Sequence, residues 1–328
     1  MIHKNILKTI LWIGFLGQVA FGSRPVDEIN VVTTVPDLAW FADEIGGEQV
    51  SVTSLSKGKE NLHSLKVRPR TLVTISKADL LFDMGLSLEA TWLPELVLAS
   101  RNRKIAVGEP GRVTCGDGWE AIDVPADLSR EGGDLHPGGN PHFALSPRSG
   151  THIADHILSG LIAVDPEHAD LYRGRHKKLT ERLQVAEARW KRYAALFEET
   201  KAKEMVVTYH SEFDYLLQYL GVKTEMSIES KPGVPPTAGH LAKVIAHMRD
   251  QSIPLVLTAN WSNSKNVTMV ATKADAEVLE LPVMVDGEPW AEDWIQLIDG
   301  LMERLRIGFD LPELPKEETP KPLIASDG

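Results

Sequence analysis

The chain has 328 residues, of which 43% are hydrophobic and 25% charged, and its formal net charge at pH 7 is −11. This composition is typical of a globular protein with one large or two medium domains. The acidic balance argues against a nucleic acid or an anionic membrane as the partner, because both repel negative charge. A single cysteine, Cys115, excludes an internal disulfide.

The first 22 residues are predicted to be an export signal that is removed. Lys4 and Lys8 give a basic start, residues 10–21 are mostly apolar, and Ala20-Phe21-Gly22 places small residues at the cleavage positions. The apolar run is shorter than the about 20 residues that span a bilayer. No cysteine lies near the cleavage site, so we expect no lipid anchor there and a periplasmic mature protein.

Strand-like and helix-like segments then alternate. Predicted strands cover 29–34, 50–55, 79–83 and 104–107, and predicted helices cover 38–45, 71–77 and 93–100. This alternation indicates a parallel α/β sheet, which we assign to an N-terminal lobe of residues 23–148. Within it, residues 115–140 lose the pattern and are rich in Gly, Asp and Glu, which predicts a mobile loop.

Residues 149–201 are predicted to form a linking helical section that pauses at Asp165-Pro166. The helix after the pause, from Glu167 to about Lys201, would be about 50 Å long, which suits a rigid strut between two lobes. The alternation then restarts in a C-terminal α/β lobe, 202–310. Its predicted strands are 204–209, 253–258 and 283–285, and its predicted helices are 212–219, 237–250, 271–279 and 290–305. The tail, 311–328, holds four prolines and is predicted to be disordered.

Four polar side chains lie where predicted strands or loops end. They are His63, His142, His210 and Asp286. Ligands of parallel α/β sheets bind beyond the carboxyl ends of strands, so two side chains from each lobe can face each other across a cleft. Three imidazoles and one carboxylate would make a four-coordinate zinc site.

The remaining histidines of the mature chain are interpreted differently. Six lie in helical segments without ligand spacing and are expected to be structural: His152, His156, His168, His176, His240 and His247. His136, in the 115–140 loop, either captures metal transiently or is solvated. Asp214 or Glu212 is expected to orient His210, as residues hydrogen-bonded to metal ligands do.

Several motifs resemble a known family. Asn140-Pro141-His142-Phe143-Ala144-Leu145-Ser146-Pro147 is similar to the second-ligand run of the cluster A-I metal-binding lipoprotein and zinc-binding protein family, the solute-binding subunits of zinc and manganese ABC importers. Ala78-Asp79-Leu80 with Gly85 and Leu88-Glu89 fits the family, and Tyr209 to Tyr215 resembles its third-ligand segment. The resemblance runs from about Ile29 to Arg306. It implies two α/β lobes bridged by one long helix.

The same resemblance implies a function and a ligand set. Its ligands would be His63, His142, His210 and Asp286, with Glu288 close to the fourth. The protein would be a monomer and not an enzyme, and would capture a divalent metal and deliver it to an ABC transporter permease. Histidine at the third position favours Zn²⁺, with Mn²⁺ or iron as the alternative.

The chain departs from the family at several positions. Asn61-Leu62 replaces the usual Asp-Pro before the first ligand, and Asn260 stands where Glu is frequent. The loop before the second ligand holds only His136, where zinc importers often carry many histidines.

Two other functions compete with the carrier. A secreted zinc hydrolase would need a general base and an open metal position, but no His-Glu-x-x-His motif is present. A metal-dependent surface adhesin would keep the same fold.

Overall fold

The computed structural model describes residues 28–125, 136–200, 205–231, 233–262 and 265–314. The predicted export signal, residues 126–135 of the predicted loop and most of the predicted tail lie outside these ranges. Across the described ranges, every helix is too short or too polar to cross a membrane.

The N-terminal sheet is parallel, with strand order β2-β1-β3-β4. Its strands are β1 (Ile29–Thr33), β2 (Val50–Ser54), β3 (Leu80–Asp83) and β4 (Arg112–Thr114), and its helices are α1 (Pro36–Gly46), α2 (Pro69–Ser76) and α3 (Leu93–Ser100). All four strands therefore end at one edge, which is where the loops carrying the first two predicted ligands begin.

Two helices link this sheet to the second half, α4 (Ser149–Val164) and α5 (Ala169–Thr200). The long helix α5 has a polar surface but buries one stripe of side chains, including Leu179, Leu183 and Trp190. The Trp190 Nε1–H donates to Asp299 Oδ1 at 2.6 Å, which ties the middle of the helix to the C-terminal half of the chain.

The C-terminal sheet repeats the parallel arrangement in the order β6-β5-β7-β8. Its elements are β5 (Met205–Thr208), α6 (Asp214–Leu220), β6 (Lys223–Ser227), α7 (Ala238–Gln251), β7 (Leu255–Ala259), α8 (Lys265–Ala274), β8 (Glu277–Leu281) and α9 (Trp294–Gly308). Helix α5 contacts α1 and α4 on one side and α6 and α9 on the other. The predicted fold, two parallel α/β lobes joined by one long helix, is confirmed.

Three predicted elements were wrong. Residues 104–107 belong to a 3₁₀ turn and a loop, because Ile105 is buried but Val107 is 90% exposed. The predicted helix 271–279 ends at Ala274, because the next residue, Asp275, adopts a left-handed φ of 58°. The strand that follows spans Glu277–Leu281, and no strand forms at the predicted position 283–285 among the described residues. The strand that was mistaken for a helix is an edge strand, Glu277–Leu281, whose exposed glutamates interrupt its apolar residues.

Candidate metal centre

His63 and His142 are each held by an asparagine two residues earlier. The Asn61 side chain accepts a hydrogen bond from the His63 N–H at 2.9 Å, and the Asn140 side chain accepts one from the His142 N–H at 3.0 Å. Asparagine side chains often close such local turns. Asn61 therefore supplies a turn acceptor where the family usually has aspartate, and the departure in sequence keeps the local geometry.

The His142 loop is also bound to the C-terminal lobe. Asn140 Nδ2 donates to the Ser211 carbonyl at 2.9 Å, and the Tyr215 hydroxyl donates to the Asn140 carbonyl at 2.7 Å. The Trp294 indole N–H donates to the Ala144 carbonyl at 2.8 Å. The second candidate ligand is thus fixed directly beside the segment that follows β5.

His210 follows the end of β5 with an extended backbone, and the residue is 7% exposed. Its Nδ1 lies 2.7 Å from Glu229 Oε2, and the Glu229 N–H donates to the Tyr209 carbonyl at 2.9 Å. The other ring nitrogen, Nε2, is buried and has no hydrogen-bond partner among the residues that the structure describes. A carboxylate on one nitrogen leaves the opposite nitrogen available to a metal.

The three histidines converge. One ligand nitrogen from each of His63, His142 and His210 lies within 4.8 Å of the other two. The Nε2 atoms of His63 and His142 are 3.1 Å apart, and each of these rings lies 5.3–5.4 Å from the His210 ring. Imidazole nitrogens this close together in a buried site can act as donors to one transition-metal ion.

The electrostatics keep two of these imidazoles neutral. Burial, with the neighbouring histidines, lowers the pKa of His63 to about 3 and holds the pKa of His142 well below its ordinary value. Burial also acts to lower the pKa of His210, but the charges of Glu212 and Glu229 outweigh it and raise the pKa. At neutral pH the His63 and His142 rings offer lone pairs without competition from protons, whereas His210 must release a proton when a metal binds.

The acid that orients His210 is not one of the two expected from the sequence. Glu229, which follows β6, makes the hydrogen bond, whereas the carboxylate of Glu212 is buried without a hydrogen-bond partner among the described residues. Asp214 acts on His210 through its charge alone. Strand β6 was not predicted, so the position of Glu229 beside the histidine could not be inferred from the sequence.

His136 lies at the edge of the cluster. Its ring is 5.0 Å from the His63 ring, and it lines a depression together with His210 and Glu229. It is outside the set of mutually close ligand nitrogens. His136, which the sequence predicts either to capture metal transiently or to be solvated, therefore lies next to the three candidate ligands.

Asp286 lies apart from the three imidazoles. Its side chain is exposed and lines a different depression, beside Trp40 and Lys57, and it is outside the mutually close group. The backbone holds this position at φ 61°, with its N–H bonded to the Ala291 carbonyl, and Gly58 packs directly against it. The site as it stands joins three nitrogens without this carboxylate.

The neighbouring acid Glu288 is already engaged. It pairs with Lys59 Nζ at 2.8 Å and accepts a hydrogen bond from Asn260 Nδ2 at 3.0 Å. Asn260 also donates to the Gly287 carbonyl at 2.7 Å, so it fastens the turn that carries Asp286. Asn260, which stands where the family frequently has glutamate, thus stabilises the turn through these two hydrogen bonds.

Two parallel α/β lobes, one long connecting helix and a buried cluster of imidazoles at their junction define a two-lobe metal-binding protein. The family model described as zinc-uptake complex component A, periplasmic, matches residues 31–308. The chain belongs to this family, as its sequence motifs predicted. Members are substrate-binding proteins of ABC metal importers, not enzymes, and the protein is a metal-binding component of such an importer. A secreted hydrolase is thereby excluded.

Relatives in the family differ in the metal that their names state. The chain is 26% identical to the manganese ABC transporter substrate-binding lipoprotein PsaA of Streptococcus pneumoniae, over 87% of this chain and 90% of that protein. It is 25% identical to the iron-binding protein YfeA of Yersinia pestis, over 88% of each chain. It is 23% identical to the high-affinity zinc uptake system protein ZnuA of Bacillus subtilis, over 76% of this chain and 77% of that protein.

Solved structures show the same fold. A crystal structure of ZnuA superposes with a TM-score of 0.71, covering 86% of this chain and all of that chain at 19% identity. A manganese-bound periplasmic metal-binding protein from Candidatus Liberibacter asiaticus gives a TM-score of 0.69 at 20% identity, over 86% of this chain and all of that chain. Identity at this level supports the fold alone, and the metal must be argued from the residues.

Proposed function

We propose that the protein captures Zn²⁺ in the periplasm and delivers it to the permease of an ABC importer. The observation that carries this proposal is the group of three imidazole nitrogens within 4.8 Å, which contains no carboxylate oxygen. Nitrogen donors favour zinc over manganese, whereas oxygen-rich sites favour manganese, and affinity for divalent ions rises from manganese through iron to zinc. Manganese and iron, which the names of two relatives state, fit this donor set less well.

Metal competition tests this choice. Metal-free protein would be equilibrated without oxygen with equimolar Zn²⁺, Mn²⁺ and Fe²⁺, passed through a desalting column and analysed for all three elements. We expect close to one zinc per chain and manganese and iron below about a tenth of that, following the order of ligand preference. One manganese per chain would retain the transport role and overturn the choice of zinc.

We also propose Asp286 as the fourth ligand, reached when its turn moves toward the histidines. Glu288 is occupied by Lys59 and Asn260, while the Asp286 carboxylate has no hydrogen bond or ion pair within the described part of the chain. We expect Asp286→Asn to weaken zinc binding about tenfold in a chelator competition, the lower end of the range for loss of a supporting group at a metal site. Unchanged affinity would leave the fourth position to water, and Glu292→Gln in the same depression is the matched control.

Delivery requires a soluble carrier that meets a membrane partner. We expect a monomer with and without zinc, because the metal donors all come from one chain. Light scattering on the metal-free and zinc-loaded protein measures this directly. A zinc-dependent dimer would mean that a second chain contributes to the site.

A further inference from the structure

One carboxyl group buried near the metal centre has no role in the site described so far. Asp37, in the first turn of α1, is 1% exposed, and neither carboxylate oxygen makes a well-aligned hydrogen bond to a described residue. The backbone N–H groups of Asp37 and Val285 are near enough to lower its pKa, but burial outweighs them and raises it to about 7. Burying an unpaired carboxyl costs stability, since it loses its hydration without compensation. A group of this kind commonly has a partner such as an ordered water.

Asp37 and His142 line the same small cavity, whose volume is about 20 Å³. The other side chains around it are apolar, among them Leu62, Met84 and Leu88. A buried water needs roughly 10–15 Å³ and at least two polar partners. The cavity has room for one water, and the two polar side chains that line it are the carboxyl group of Asp37 and the imidazole of His142.

The imidazole has a nitrogen to spare for that water. His142 Nε2 lies 3.1 Å from His63 Nε2, on the metal side, while its Nδ1 makes no direct hydrogen bond within the described residues. If Nδ1 carries the ring proton, Nε2 keeps its lone pair and accepts from the His63 ring. This tautomer is the one that a metal at Nε2 requires.

We propose that a water held in this cavity joins Nδ1–H of His142 to the carboxyl group of Asp37, which makes Asp37 the positioning residue for the second metal ligand. Glu229 does the same for His210 by direct contact. The two lobes would then each supply one acid that fixes the tautomer of a ligand. The inference rests on the proposed function only for the effect on zinc affinity.

The test begins with the unmodified protein. In ¹⁵N-histidine NMR of the metal-free and zinc-loaded wild type, we expect a His142 Nδ1–H that exchanges slowly and shows a cross-peak to a bound water. An Nδ1 that carries no proton, or one that exchanges freely, overturns the proposal. This measurement does not depend on zinc affinity, so a failure of the proposed function, seen as no bound zinc, is distinguishable from a failure of the water bridge.

Two substitutions separate positioning from packing. Asp37→Leu removes both the acceptor and the unpaired carboxyl group, so we expect the metal-free protein to become more stable while zinc binding weakens about tenfold. Asp37→Asn keeps an acceptor oxygen, and zinc binding should stay within about threefold of wild type, since the bridge to the ring nitrogen is retained. Asp43→Asn, an exposed acid on the same helix, is the control and should change neither quantity.

Opposite movements of stability and affinity in Asp37→Leu are the signature that a purely structural role would not give. Affinity equal to wild type in this variant, or a loss of affinity in proportion to a loss of stability, would refute the proposal. If Asp37→Leu does not fold, the NMR measurement of the His142 Nδ1 proton in the wild type and the zinc affinity of Asp37→Asn still test the proposal.

Discussion

His142→Ala is expected to weaken zinc binding by more than about 100-fold, beyond the roughly 10- to 100-fold that loss of a residue supporting a metal ligand costs. The imidazole is buried in the centre of the site, with its Nε2 3.1 Å from that of His63. Two nitrogens remain in the variant, and they cannot enclose the ion. Chelator competition and elemental analysis after desalting measure the change.

Thermal unfolding separates loss of the ligand from loss of the fold. The loop that carries His142 is held by hydrogen bonds from its backbone to the side chains of Asn140 and Trp294, so the metal-free variant should melt near the metal-free wild type. Zinc at about 100 times its Kd should stabilise wild type by about 2.7 kcal/mol and the variant hardly at all. His156→Ala, which changes a half-buried histidine of α4, should keep both the zinc content and the stabilisation. Wild-type affinity in His142→Ala would show that zinc binds elsewhere.

The convergence of the three candidate histidines could be predicted from the sequence, because their positions follow from topology. Parallel strands bring their carboxyl ends to one edge, and the histidines follow β2 and β5 or end the loop before α4. That argument needs the order of elements and not their contacts. The turns in which Asn61 and Asn140 each accept from the N–H of the histidine two residues later were not predicted, and the structure shows them.

The sequence did not predict the surroundings of the site, because these depend on edge strands. β6 exposes the charged residues Lys223 and Glu225, and β8 exposes Glu277 and Glu280, so neither edge strand has a continuous apolar run. Because β6 was not predicted, Glu229, which follows it, could not be placed beside His210. Placing the last strand at 283–285 instead of Glu277–Leu281 put Asp286 directly at a strand end, whereas it follows an intervening turn.

The pH dependence of zinc binding should report on a single proton. The pKa of His63 is lowered to about 3 and that of His142 also lies well below its ordinary value, so neither ring binds a proton between about pH 5 and 7. His210, whose pKa is raised, must lose its proton before zinc binds. Zinc affinity should therefore fall about tenfold per pH unit below the pKa of His210, instead of about a thousandfold for three ordinary histidines.

Glu229→Gln is expected to weaken zinc binding by about 10- to 100-fold at pH 8, because the uncharged amide makes His210 a less basic ligand. The same change lowers the pKa of His210, so fewer protons compete at low pH. The deficit should shrink as the pH falls through the wild-type pKa, and calorimetry in buffers of different ionisation enthalpy should find less proton release near pH 6. Glu225→Gln, on the exposed face of β6, is the control. A deficit that is constant across pH would mean that Glu229 only supports the strand and does not tune the imidazole.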